Sequence, residues 1–362
     1  MVATTKRFDY LDALRGLAVF LVLLAHCKEL DKSLSLPPTI SNLTGTARYG
    51  VQLFFEISAF TIFYSLIHRD SNIKNFIIRR IFRIAPLYLL AVLIYPFLFY
   101  SPTEGIALNA LFLHGFFPEY INRIVPGGWS VGIEVLFYAM APFLFKRIRN
   151  TGQAIYFFNF SILARFLINY CVQKLGWLQD SAGQSFYYFW LPNQMPVFAL
   201  GIVVYFILFT PFDFKNIQKP LMMFTILTLF SAMTMLSFFQ DHIIFGFIWG
   251  LLIILLSKSH LRFFINGLTL FMGKISYSVY LSQFAVILIL NKIGYQSIIH
   301  KKTPVADIFN FCINYLILST VSIGLSYILF KIIEEPFQSA GRKLISRLMT
   351  REPVDRLTKK AL

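Results

Sequence analysis

Arg15 and His26 stand eleven residues apart in an otherwise apolar stretch, Asp9-Tyr-Leu-Asp12-Ala-Leu-Arg15-Gly-Leu-Ala-Val-Phe-Leu-Val-Leu-Leu-Ala-His26-Cys27. At ~100° per residue, eleven steps make about three turns, so both side chains project from one helix face with ~16 Å of rise between them. A cation in hydrocarbon is costly and turns toward an interior cavity or a partner. An imidazole titrates near neutrality, so it can take a proton from an alcohol and return it to a leaving group. An anion-binding group at one depth and a proton carrier at another suit a long acyl donor with a phosphate head. Asp12 lies one turn before Arg15, the i,i+3 spacing at which a carboxylate pairs with the guanidinium and holds its rotamer. A single histidine in an apolar helix is more often a hydrogen-bonded packing residue. Arg15 on the same face moves His26 toward chemistry.

Two further clusters carry polar chemistry. Asn75-Phe-Ile-Ile-Arg79-Arg80-Ile-Phe-Arg83-Ile-Ala-Pro86-Leu-Tyr88 opens an apolar segment, with Arg80 and Arg83 one turn apart on a shared face. Guanidinium donors bind phosphate oxygens in pairs, and ordinary positive-inside charge is the competing explanation. Pro126-Gly127-Gly128-Trp129-Ser130-Val-Gly132-Ile-Glu134 turns from a loop into another apolar segment. Ser130 is expected to cap that helix. Trp129 offers a face on which a sugar can stack. Glu134 falls one turn inside the membrane, where acids are rare and are paired or functional. It is open between orienting His26, binding an acceptor and pairing with Arg165. Glu56 is a further buried acid, for which a structural pair with Arg165 is expected.

Composition names the elements that must position these groups. The 362 residues are 57% hydrophobic and 14% charged, with mean hydropathy +0.66. Soluble domains carry about 25% charged residues, so this is an integral membrane protein without a sizeable soluble domain. Ten apolar runs are long enough to span a bilayer: 10–28, 49–67, 83–101, 129–146, 153–172, 187–209, 220–238, 242–257, 274–291 and 309–331. The expected fold is therefore an all-α polytopic bundle of about ten transmembrane helices. Most of the 33 lysines and arginines fall on the side holding both ends, which puts both termini in the cytoplasm. The net charge of +16 then meets anionic lipid rather than nucleic acid. The first helix, with no small-x-small cleavage site after it, is expected to be retained. The division is a transmembrane domain over 1–337 and a basic amphipathic tail over 338–362, with Leu344, Ile345 and Leu348 lying on the inner leaflet. Cys27, Cys171 and Cys312 are widely separated and read as apolar packing residues.

Other templates fail. The histidines lack paired metal-ligand spacing, so no metal is expected. There is no phosphate-cradling Gly-rich loop and no Gly-x-Ser-x-Gly elbow. The absence of a clear Ser or Cys nucleophile site favours direct transfer over an acyl-enzyme.

Together these motifs resemble acyltransferase family 3, a family of bacterial membrane enzymes. The similarity is carried by Tyr10-Leu-Asp12-Ala-Leu-Arg15-Gly16 with His26, by Arg80-x-x-Arg83 with Pro86 and Tyr88, and by Trp129-Ser130-x-x-x-Glu134 with Phe137-Tyr138. Gly273-Lys-Ile-Ser276-Tyr277-Ser278-Val-Tyr280-Leu281 and Glu334-Glu335-Pro336 complete it. It spans about residues 7–337. The resemblance implies a ten-helix enzyme of the cytoplasmic (inner) membrane that takes an acyl group, commonly acetyl, from cytosolic acyl-CoA. The acceptor would be a hydroxyl of an extracytoplasmic cell-surface glycan, such as lipopolysaccharide O-antigen or a lipid-linked oligosaccharide. It gives His26 the catalytic role, and Arg15, Arg80 and Arg83 donor binding, with Arg79 beside them. Glu134 is expected among the catalytic groups, Trp129 and Ser130 at the acceptor, and Asp12 orienting Arg15. Glu56, Ala59 and Gln283 depart from the family pattern and bear on acceptor specificity. The oligomeric state is not legible. A proton-coupled transporter is the alternative, since intramembrane acids and arginines suit a carrier, although no inverted repeat is visible. Membrane-bound O-acyltransferases are a further enzyme alternative, but their histidine lies mid-chain rather than in the first helix.

Overall fold

The computed structural model describes residues 8–68, 72–99, 103–176, 181–211, 214–234, 240–259, 261–299 and 303–358. The helices run in the order α1 (Asp9–His26), α2 (Pro38–Ala47), α3 (Gly50–His68), α4 (Ile73–Phe99), α5 (Ile106–Ala110), α6 (Gly128–Arg147) and α7 (Thr151–Lys174). They continue as α8 (Ser181–Phe189), α9 (Leu191–Phe209), α10 (Phe214–Thr234), α11 (Asp241–Lys258), α12 (Gly267–Lys292), α13 (Pro304–Leu329) and α14 (Glu335–Thr358). No strand occurs among the described residues. Nine helical segments among them are long and apolar enough to cross a membrane. The chain is an all-α, multi-pass membrane protein. The expected span 220–238 is the one without a counterpart among the nine. Helix α10 covers its first part, and residues 235–239 lie outside the described residues.

Burial sorts the helices into a centre and a rim. The segments Pro38–His68 and Gly183–Phe209, which contain α3 and α9, are 78% buried over their apolar windows. A helix apolar all round belongs inside, and α3 accordingly packs on α1, α6, α9 and α11. The segments Thr151–Lys174 and Asp241–Lys258 are 33% buried and show most of their surface outward. Cys171 and Cys312, expected as packing residues, are exposed on α7 and α13, while Cys27 is buried.

The tightest crossing joins α1 to α12. A Cβ built on Gly16 would lie 2.2 Å from Thr269 O, and one on Gly273 would lie 1.8 Å from Asp12 O. Only hydrogen fits at either position, so the backbones meet directly. Asn266 caps α12 reciprocally: its side chain accepts from Thr269 N, while the Thr269 hydroxyl accepts from Asn266 N. These contacts set Ser276, Tyr277 and Tyr280 beside Arg15. Close to this crossing, α13 passes through a π turn over Phe330–Glu334 into α14. Buried Glu334 accepts a hydrogen bond from Ser278. Helix α14 packs on α4. Gly341 and Ile345 are buried against the bundle, while Leu344 and Leu348 face outward. The C-terminal segment thus continues the bundle through residue 345. The residues expected as a basic tail begin within this helix, and their first turns pack on α4.

Candidate active site

Helix α1 carries Asp12 and Arg15 near one end of the bundle and His26 at its other end. Arg15 Nη1 donates to Asp12 Oδ1 at 2.9 Å, the pair its i,i+3 spacing anticipates. Three cavities follow this helix. The first, about 300 Å³, is lined by Asp12, Arg15, Arg79, Arg80, Arg83 and Arg342, among others. Five guanidiniums face one carboxylate there, a strongly positive enclosure suited to a polyanion. The second, about 60 Å³, is lined by Ser58, Ser130, Glu134 and Tyr280 as well as Arg15, Arg80 and Arg83. The third, about 510 Å³, holds His26 with Arg48, Gln52, Asn122, Trp129 and Tyr188. Arg15, Thr61, Arg80 and Arg83 line both the first and second cavities. Val51 and Tyr280 line both the second and third. The three thus lie in a row along α1 with shared walls, a path whose smallest member is a waist between two larger cavities.

Arg80 is held by aromatic faces, 5.1 Å from the Tyr138 ring centroid and 5.3 Å from that of Phe76. Tyr277 reaches from α12 to donate to Ile84 O at 2.9 Å, which clamps the arginine-bearing turn of α4 against α12.

At the far end, His26 Nδ1 lies 2.5 Å from Glu29 Oε1. A carboxylate oxygen only accepts, so Nδ1 carries the proton and Nε2 is the nitrogen left for acid-base work. Glu29 sits on a 3₁₀ turn, Cys27–Leu30, that extends α1. The sequence reading overlooked it by ending the first span at residue 28. The same i,i+3 spacing that marks Asp12–Arg15 was the available signal. Phe284 meets the imidazole edge to face at 4.6 Å.

The remaining expected residues divide between the cavities. Trp129 lines the His26 cavity and stacks on Phe189 at 4.5 Å. Ser130 lines the waist, 2.7 Å from the Tyr280 hydroxyl. It is not the cap of α6: Gly127, with φ of 76°, holds that position, and the Ser130 hydroxyl donates back to Gly127 O at 3.0 Å. Glu134 also lies at the waist, where its Oε1 accepts from Ser58 Oγ and Tyr138 OH at 2.5 Å each. It hydrogen-bonds neither His26 nor Arg165 among the described residues. The expected Glu56–Arg165 pair is not formed. Helix α9 packs on both α3, which carries Glu56, and α7, which carries Arg165. Arg165 donates instead to Asn193 on α9 at 3.3 Å, and among the described residues neither Glu56 oxygen has a hydrogen-bond partner. Gln283 is buried and donates to Tyr280 O at 3.2 Å.

A protein-family model described as an acyltransferase domain matches residues 8–331. The chain belongs to acyltransferase family 3. No curated protein and no solved structure matches it. As a member of acyltransferase family 3, the protein is a multi-pass membrane acyltransferase, which decides against the transporter alternative. The family match takes in α1 to α13, and therefore every residue of the path except those contributed by α14.

Proposed function

We propose that this membrane acyltransferase moves an acetyl group from cytosolic acetyl-CoA to a hydroxyl of an extracytoplasmic glycan, such as lipopolysaccharide O-antigen or its lipid-linked precursor. The enzyme sits in the bacterial cytoplasmic membrane with its arginine cavity toward the cytosol. The observation that carries this reading is the path along α1, with five arginines at one end and His26 at the other. Arg15, Arg79, Arg80 and Arg83 take the donor phosphates through paired guanidinium donors. The pantetheine arm passes the waist at Tyr280, which brings the thioester toward His26. The ~16 Å rise between Arg15 and His26 suits an arm of that kind.

In the His26 cavity a sugar stacks on Trp129 and offers its hydroxyl. His26 Nε2 removes the hydroxyl proton as the oxygen attacks the thioester carbonyl carbon. The C–S bond breaks, and the departing CoA sulfur takes the proton back from the imidazolium. Glu29 holds the tautomer that leaves Nε2 free. Glu134, bonded to Ser58 and Tyr138, shapes the waist rather than moving a proton, and Asp12 fixes Arg15. No metal is required by this scheme, and acyl-CoA is a co-substrate.

The test uses purified protein in nanodiscs with acetyl-CoA and a lipid-linked oligosaccharide, scored by CoA release. His26→Ala is expected to reduce the rate at least about 10²-fold while leaving acetyl-CoA affinity unchanged. A folded His26→Ala protein turning over at the wild-type rate would remove His26 as the base. A wild-type protein that neither binds acetyl-CoA nor releases CoA would overturn the donor.

A further inference from the structure

We propose that Arg342, on the C-terminal helix beyond the segment matched by the family, binds the 3′-phosphate of the donor, and that α14 thereby completes the mouth of the donor cavity. The proposal rests on the reading of the donor as an acyl-CoA. Arg342 and Gln338 line the first cavity together with Arg15, Arg79, Arg80 and Arg83. Their placement there is built into the fold. Pro336 follows the π turn and cannot supply a backbone N–H to it, and Glu334 is tied to Ser278 of α12. Helix α14 packs on α4. Contact is close: a Cβ on Gly341 would come within 2.8 Å of Phe82 Cβ. With Gly341 seated on α4, its neighbour Arg342 is held at the cavity.

Two observations leave the Arg342 guanidinium available. It makes no hydrogen bond or salt bridge among the described residues. The nearby carboxylate on its own helix, Glu335, is bonded by Lys331 at 2.7 Å and lies 3.9 Å from Lys274, and Arg342 acts on it only through charge, without a hydrogen bond or salt bridge. The order of arginines along the path then assigns the phosphates. Arg15, Arg80 and Arg83 line both the first cavity and the waist, the depth that a diphosphate reaches when its pantetheine arm extends toward His26. Arg79 and Arg342 line only the first cavity. The group left for them is the outermost anion of the donor, the phosphate monoester on the adenosine ribose. A second source of phosphate chemistry at this face is an anionic lipid headgroup.

The experiment compares CoA with 3′-dephospho-CoA by calorimetry on full-length protein in phosphatidylcholine nanodiscs, which carry no net anionic headgroup. Arg342→Ala is expected to weaken CoA at least about tenfold, the size of one charged hydrogen bond, and to leave 3′-dephospho-CoA unchanged. Arg342→Lys should recover part of the loss. Equal weakening of both ligands, or no weakening of either, overturns the assignment while leaving the donor reading intact. An effect that appears only in phosphatidylglycerol nanodiscs assigns Arg342 to lipid and also overturns it. Failure of the wild-type protein to bind CoA removes the donor reading, and this proposal falls with it.

Discussion

His26 and Glu29 meet because a 3₁₀ turn continues α1 by four residues beyond the histidine. One carboxylate, 2.5 Å from Nδ1, decides which ring nitrogen is free to work. Glu29 touches neither donor nor acceptor in the proposed reaction, so it acts by positioning. Glu29→Ala is therefore expected to lower kcat at least about tenfold and to leave the Kd for acetyl-CoA at its wild-type value, with Glu29→Asp recovering part of the rate. Steady-state kinetics paired with donor calorimetry checks this split. A mutant in which donor affinity falls as steeply as kcat would show a general loss of structure instead. The neighbouring pair Asp12–Arg15 was readable from spacing alone. Glu29 followed the same rule, but it stood at the membrane edge, where the apolar run had ended.

At the scale of the element, the crossing of α1 and α12 places Arg15 beside Ser276, Tyr277 and Tyr280, and two glycines permit that crossing. In an ordinary helix, Gly→Ala is favourable by roughly 0.5–1 kcal/mol. At Gly273 the added methyl would lie 1.8 Å from Asp12 O, so the helices must separate. Overpacking of this kind costs about 1–3 kcal/mol or more and outweighs the propensity gain. Gly324 on α13 has nothing within 4 Å of its Cβ position. Gly273→Ala is expected to lower the apparent melting temperature of purified protein and to weaken acetyl-CoA binding. Gly324→Ala should be neutral or slightly stabilising. Equal behaviour of the two substitutions in a thermal-shift assay would contradict a direct backbone contact. Gly16 and Gly273 both stood in recognised motifs, but a motif does not say which helix a glycine faces.

Across the whole molecule, the path separates a strongly positive cavity from one containing His26, Trp129 and amide side chains. The waist between them, about 60 Å³, is far smaller than either neighbour. In the proposed reaction only the thin pantetheine arm would occupy it, with the bulk of the donor left in the arginine cavity. Donor and acceptor should therefore approach from opposite faces. In proteoliposomes of known orientation, CoA release is expected only when acetyl-CoA is supplied on the face carrying Arg79 and Arg342, with acceptor on the other. Turnover with acetyl-CoA confined to the His26 face would contradict the path as a donor route.

Apolar run length and low charge determined an all-α membrane bundle, because a bilayer leaves few other ways to satisfy the backbone. Helical periodicity likewise determined that Arg15 and His26 share a face and that Asp12 reaches Arg15, since these relations lie within one helix and need no knowledge of its neighbours. What the spacing did not contain was which helices are adjacent. Only the tertiary structure separated Glu134 from His26, interposed α9 between Glu56 and Arg165, and packed α14 on α4 so that Arg342 joins an arginine cluster more than 250 positions earlier in the chain. Those outcomes depend on close packing between distant segments, where a glycine can admit one partner and a larger side chain would not. Local periodicity carries no information about that choice.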